Sequence, residues 1–145
     1  MTRAVIFDFF GVLYRNIAGA EKQIDQDMLR FIQKCHGTYK TALLSNADSS
    51  LRIKLEELGL SSLFDKIILS KEVGVQKPDP KIFQLTLDLL YTKPEETIFI
   101  DDSAQNVATA NSLGIKSIRF VSAPQLKNDL ERLLIDNANP ASTSP

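Results

Sequence analysis

Cysteine and histidine each occur once in the chain, as Cys35 and His36. A lone cysteine excludes an internal disulfide and a cysteine-rich metal site. His36 falls near the end of a helix-like stretch, where partial positive charge is favourable. Charge of one sign is also missing. Seventeen Lys and Arg stand against eighteen Asp and Glu, for a net charge of −1, which leaves no basic footprint for nucleic acid. No apolar run exceeds about six residues, far short of the roughly 20 that span a bilayer, so no membrane partner is expected. Met1-Thr2-Arg3 leads straight into an apolar run without the h-region or small-residue cleavage site of a secretory signal. A cytoplasmic protein is the expectation. There is no Walker sequence and no Gly-x-Gly-x-x-Gly, so a nucleotide cofactor has no support. There is no internal repeat.

What is present is alternation. Short apolar runs lie at Val5-Ile6-Phe7, Thr41-Ala42-Leu43-Leu44, Ile67-Ile68-Leu69, Thr97-Ile98-Phe99-Ile100 and Ser117-Ile118-Arg119-Phe120-Val121. Runs without polar alternation are those of strands buried on both faces of a parallel sheet. Between them, Ile24, Met28, Phe31, Ile32 and Cys35 repeat at helical spacing and predict a helix over 21–36, ending near Gly37. Further helices are expected from Asp48 to Leu58, Pro78 to Leu90 and Ser103 to Leu113, with Gly59 and Gly114 as stop signals. A last helix carries Leu126, Leu130, Leu133 and Leu134. The order β-α-β-α-β-α-β-α-β predicts a Rossmann-like, doubly wound, five-stranded parallel sheet of α/β class. One domain is expected over 1–136, with a flexible tail over 137–145.

In such sheets ligands gather at the carboxyl ends of the strands. Three of the five runs end in polar residues there: Asp8, Ser45-Asn46 and Asp101-Asp102. Three converging carboxylates repel one another unless a cation joins them, and an all-oxygen set with a phosphate and waters suits Mg²⁺. Ser45 and Asn46, between a strand and a helix, can face an anion. Lys77 adds a positive charge, and Pro78 and Pro80 restrict the backbone just after it. Each of these has an ordinary structural use as well. Asp101-Asp102 before Ser103 can simply cap a helix, and Ser45-Asn46 can be plain loop chemistry.

Taken together, four stretches resemble the haloacid-dehalogenase-like superfamily, in its phosphatase-like branch. They are Val5-Ile6-Phe7-Asp8-Phe9-Phe10-Gly11-Val12-Leu13, Leu43-Leu44-Ser45-Asn46, Val73-Gly74-Val75-Gln76-Lys77-Pro78-Asp79-Pro80 and Ile98-Phe99-Ile100-Asp101-Asp102-Ser103. The likeness spans residues 3 to 121. It implies that Asp8 is the nucleophile, forming an aspartyl-phosphate while binding Mg²⁺. It implies that the Phe10 backbone carbonyl, Asp102 and, nearby, Asp101 serve the metal. Ser45 and Asn46 would bind the transferring phosphoryl group, and Lys77 would neutralise its charge and that of Asp8. Gly11 would allow the tight turn after the first strand.

The sequence departs from that pattern twice. Where the family's phosphatases carry a second aspartate as general acid–base, this chain has Phe10. Such a group is worth roughly 10²–10⁴-fold in rate, so alkyl phosphates are expected to be poor substrates, and acyl or aryl phosphates better ones. The cap that shapes the substrate pocket in many members also has no room here, with one helix over 21–36 filling the gap between the first two motifs. An open site suits a macromolecular substrate or partner, or a homodimer that covers it. Three functions follow: a Mg²⁺-dependent phosphatase or phosphotransferase, a non-catalytic binding or scaffold protein of the same fold, and a haloacid dehalogenase. The acidic pair Asp101-Asp102 disfavours the third.

Overall fold

In a computed structural model, which describes residues 1–138, five parallel strands form one sheet in the order β5-β4-β1-β6-β7. They are β1 (Ala4–Phe7), β4 (Lys40–Ser45), β5 (Lys66–Leu69), β6 (Thr97–Asp101) and β7 (Lys116–Arg119). β1 pairs with β4 on one side and β6 on the other, Phe7 standing opposite Leu43 and Ile100. The chain winds outward through β4 and β5, then returns across β1 to begin β6. The topological switch therefore lies between β1 and β6, where a ligand crevice opens at the carboxyl ends.

The continuous apolar runs are explained by the two cores. Val5, Phe7, Leu43, Ile98 and Ile100 face α1 (Gln26–His36), α2 (Ser50–Glu57) and α6 (Ala123–Ala138). Ala4, Ile6, Ala42, Leu44 and Phe99 face α4 (Pro80–Leu90) and α5 (Ala104–Ser112). Alternation puts neighbouring residues on opposite faces, and both faces are apolar because both are covered. The five-stranded Rossmann-like sheet expected from the sequence is the one observed. A short helix, α3 (Ser70–Val73), leads from β5 toward Lys77.

The segment before α1 corrects one expectation. Residues 21–25 are not helical. Instead β2 (Tyr14–Asn16) and β3 (Lys22–Ile24) form an antiparallel hairpin. Its turn has positive φ at Ala18 and Gly19, with Ala20 N–H donating to Ile17 O at 3.0 Å. The helix starts only at Gln26 because Asp25 caps it, its Oδ1 accepting from Asp27 and Met28 N–H at 3.0 and 3.1 Å. Asp25 also pairs with Arg15 of the hairpin at 2.7 Å, which ties the two elements together. Only the loop from Asp8 to Leu13 and this hairpin stand between β1 and α1, so no cap domain is inserted there. The expected tail lies, from residue 139 on, outside the described residues; α6 itself continues to Ala138.

Candidate active site

The loop leaving β1 carries Asp8, which is 7% exposed. Its Oδ1 accepts Phe9 N–H at 2.9 Å and the Lys77 ammonium at 3.0 Å. Lys77 comes from the loop between α3 and α4 and is 4% exposed. Its three N–H bonds are fully used, by Asp8, by Leu44 O at 2.9 Å and by Asp101 Oδ2 at 2.8 Å. One amine thus bridges the carboxylates at the ends of β1 and β6, with β4 supplying the third acceptor. A buried ammonium is tolerable only when paired and fully hydrogen-bonded in this way.

Asp101 and Asp102 are neighbours with different surroundings. Asp101 is fully buried, and its carboxylate also accepts Ser103 N–H at 2.9 Å and Asn106 Nδ2 at 3.1 Å. Asp102 faces outward. Carboxylate oxygens of Asp8, Asp101 and Asp102 all lie within 4.8 Å of one another. Burial pushes the Asp8 carboxyl up to about 7, with Lys77 opposing and the Asp101 charge adding to the rise. Asp102 is raised too, by desolvation first and then by Asp101. Both shifts come first from burial, which penalises the charged form of each carboxyl, and a divalent cation bound among the acids would favour that charged form.

Gly11 has φ +85°, and a Cβ there would overlap the Asp102 carboxylate. Only glycine meets both requirements. Phe9 is buried in the core, while Phe10 is 42% exposed. At the end of β4, the Ser45 hydroxyl is buried with no hydrogen-bond partner among the described residues. Buried hydroxyls are normally satisfied, so an unpaired one beside Asp8 and Lys77 fits an anion that would accept from it. The Asn46 side chain is turned to the loop that carries Lys77. Its carboxamide is engaged with the Lys77 main chain, Oδ1 accepting Lys77 N–H at 2.9 Å and Nδ2 donating to Lys77 O at 3.0 Å.

Asp8, Ser45, Lys77, Asp101 and Asp102 are therefore brought to one sheet edge, with Asn46 and Phe10 on the same loops. Asn106 has no local sequence pattern that points to the site. It sits in the first turn of α5, which Ser103 caps, and reaches back to Asp101. A cavity of about 610 Å³ lies elsewhere, between α1 and α6, lined by Phe31, Cys35, Tyr39 and Leu130 among others. None of the clustered acids borders it. No helix among the described residues is long and apolar enough to cross a membrane.

Residues 23–120 match the family described as haloacid dehalogenase-like hydrolase. The D-ribitol-5-phosphate phosphatase of Bacteroides thetaiotaomicron is 27% identical over 123 residues, which cover 80% of this chain and 60% of that protein. (S)-2-haloacid dehalogenase 1 of a Pseudomonas species is 31% identical over 90 residues, 60% of this chain and 40% of that one. A structure of a wild-type family enzyme from Bacteroides thetaiotaomicron, in complex with magnesium and inorganic phosphate, superposes with TM-score 0.70 at 20% identity. That superposition covers 81% of this chain and 93% of the other, and speaks for the fold alone. The chain spans less than two thirds of the length of either curated relative.

Proposed function

The chain belongs to the haloacid dehalogenase-like hydrolase family, and from that premise we propose that it transfers phosphoryl groups to Asp8 in a Mg²⁺-dependent way, acting as a phosphatase or phosphotransferase. The observation that carries this reading is the Lys77 ammonium held between Asp8 and Asp101, beside three carboxylates close enough to share one cation. Asp8, Asp102 and the Phe10 carbonyl would hold Mg²⁺. Asp101, already occupied by Lys77, Ser103 and Asn106, serves to fix the amine. Bound there, the ion supplies Lewis-acid stabilisation of charge on the phosphoryl oxygens.

The residues divide the remaining work. Asp8 Oδ1 is oriented by Phe9 N–H and Lys77, and Oδ2 accepts no bond among the described residues. Oδ2 is therefore the atom that attacks phosphorus. The bond to the leaving oxygen breaks and its electron pair departs with that oxygen. Ser45 Oγ donates to a phosphoryl oxygen, and Lys77 offsets the negative charge of the attacking group. Water then attacks phosphorus, the bond to Oδ2 breaks, and inorganic phosphate leaves with the Asp8 carboxylate restored. Asn46 serves phosphate binding through Lys77, whose backbone it clamps. Phe10 can neither protonate the leaving oxygen nor activate that water, so turnover of alkyl phosphates is slow and the phosphoenzyme long-lived.

Phe10 also favours a second reading, a fold retained for binding without turnover. The dehalogenase reading is weakened by the three-acid cluster, since halide departs without a metal. The substrate is a small activated phosphate or a phosphorylated macromolecule, reached through an uncapped site that a second copy can cover, in the cytoplasm. Mg²⁺-dependent release of phosphate from acetyl phosphate, lost on the order of 10⁴-fold in Asp8→Asn, is the expected result. Mg²⁺ and phosphate binding with no release at any enzyme concentration would leave the binding-only reading in its place.

A further inference from the structure

We infer that the exposed Phe10 ring is a binding surface for a flat apolar leaving group, which makes aryl phosphate esters the substrate class of this site. The inference rests on the phosphoryl-transfer reading and adds to it what the leaving group touches. Around Phe10, Asp8 is 7% exposed and Phe9 and Val12 are fully buried, whereas Phe10 itself is 42% exposed. It is the one side chain of this loop that projects. Two residues of extended chain span at most about 7 Å, so the Phe10 backbone stays within that distance of the Asp8 backbone. On its other flank, Gly11 abuts the Asp102 carboxylate. The loop that carries the ring thus runs beside both Asp8 and Asp102.

The ring is also held in place. It meets Phe9 edge-on at 5.0 Å between centroids and Tyr14 edge-on at 6.1 Å. Tyr14 in turn stacks on Phe9 at 5.5 Å, and Gly11 N–H donates to Tyr14 O at 2.9 Å. A pre-placed ring gives up little freedom when a second ring packs on it.

Chemistry selects the same ligand. Phenols ionise near pH 10, far more readily than alkanols, so a phenoxide departs without a proton from an acid. In the balanced step, Asp8 Oδ2 forms a bond to phosphorus and the phosphorus–aryloxide bond breaks. The phenoxide takes the electron pair and later a proton from water. Water then cleaves the acyl phosphate to inorganic phosphate and the Asp8 carboxylate. The side chain that removes the general acid thus supplies the contact for the substrates that need none.

The test uses the full chain with Mg²⁺ and two inert probes, phenylphosphonate and methylphosphonate, titrated by calorimetry. An edge or stacked ring contact predicts phenylphosphonate binding several-fold to about tenfold more tightly. In Phe10→Leu the phenyl-to-methyl ratio falls toward one, and in Phe10→Tyr it is kept. Equal affinities in the unaltered protein, or a ratio unchanged in Phe10→Leu, would overturn the inference. Turnover of phenyl phosphate is then compared with that of acetyl phosphate. A ratio that behaves as expected with neither compound hydrolysed would support the ring site and reject the transfer reading.

Discussion

The two ends of the same strands treat their polar residues in opposite ways. At the amino ends of β4 and β6, Thr41 and Thr97 are buried and satisfied. Thr41 Oγ1 donates to Leu63 O at 2.6 Å and meets His36 Nδ1 at 3.1 Å, and its N–H goes to Asp65 at 2.8 Å. Thr97 Oγ1 reaches Lys93 O at 2.9 Å and Thr92 Oγ1 at 3.1 Å. At the carboxyl ends, Ser45 is buried and unpaired, and Asp8 and Asp101 share one cation between them. At the amino edge the fold itself completes Thr41 and Thr97, and only Ser61 Oγ, in the turn before β5, is left buried without a partner among the described residues. At the carboxyl edge Ser45 Oγ has no partner among the described residues and three carboxylates converge, an arrangement that suits the anion and divalent ion of the proposed function.

That contrast breaks first at Lys77. Lys77→Ala leaves Asp8 and Asp101 facing each other without their shared cation, and a loss of about 3–5 kcal/mol in unfolding free energy is expected. Urea titration at pH 7 without metal measures it, and a loss near zero would mean that the bridge contributes nothing to the fold. The clamp from Asn46 lies on the same axis.

The next effect is on pH. The Asp8 carboxyl stands at about 7 in the folded chain, above its unfolded value near 3.9. A group raised on folding contributes stability fully below the unfolded value and loses it as pH rises through the folded one. The metal-free protein should therefore lose stability between about pH 4 and 7. Mg²⁺ binds the deprotonated form, so its affinity should climb up to about tenfold per pH unit until pH 7 and then level off. Calorimetry from pH 5.5 to 8 checks both, and a flat affinity would contradict the assignment.

The smallest effects sharpen the comparison most. Thr41→Val should cost about 1–2 kcal/mol of stability by stripping buried groups of partners, and leave turnover alone. Ser45→Ala removes no hydrogen bond, so stability should change by no more than about 0.5 kcal/mol. The KM for acetyl phosphate should nevertheless rise about tenfold, the worth of one bond to a charged oxygen. Paired thermal melts and kinetics would reveal any exchange of these signatures.

Much of this edge is legible in the sequence because parallel strands buried on both faces are continuous in apolar character. The runs at Val5 and Thr97 stop where Asp8 and Asp101 begin, and the winding rule places both stops at one switch point. The hairpin over 14–24 is not legible in that way. Its turn is Ala18-Gly19 rather than an Asn or Asp before glycine, and Ile24 falls on the helical spacing of Met28 and Ile32. The signal that the helix begins later is Asp25, a cap residue with competing readings. Asn46 and Asn106 are hidden for another reason. What their amides bond is fixed by tertiary approach, in the case of Asn46 to a loop 31 residues away, and no local pattern encodes it.

Beryllium fluoride with Mg²⁺ mimics an acyl-phosphate and tests the central claim without requiring turnover. Fluorine NMR should show bound resonances that need Mg²⁺ and vanish in Asp8→Asn. Bound fluoride signals that survive Asp8→Asn, or none at saturating Mg²⁺, would contradict the assignment of Asp8 as the phosphoryl acceptor.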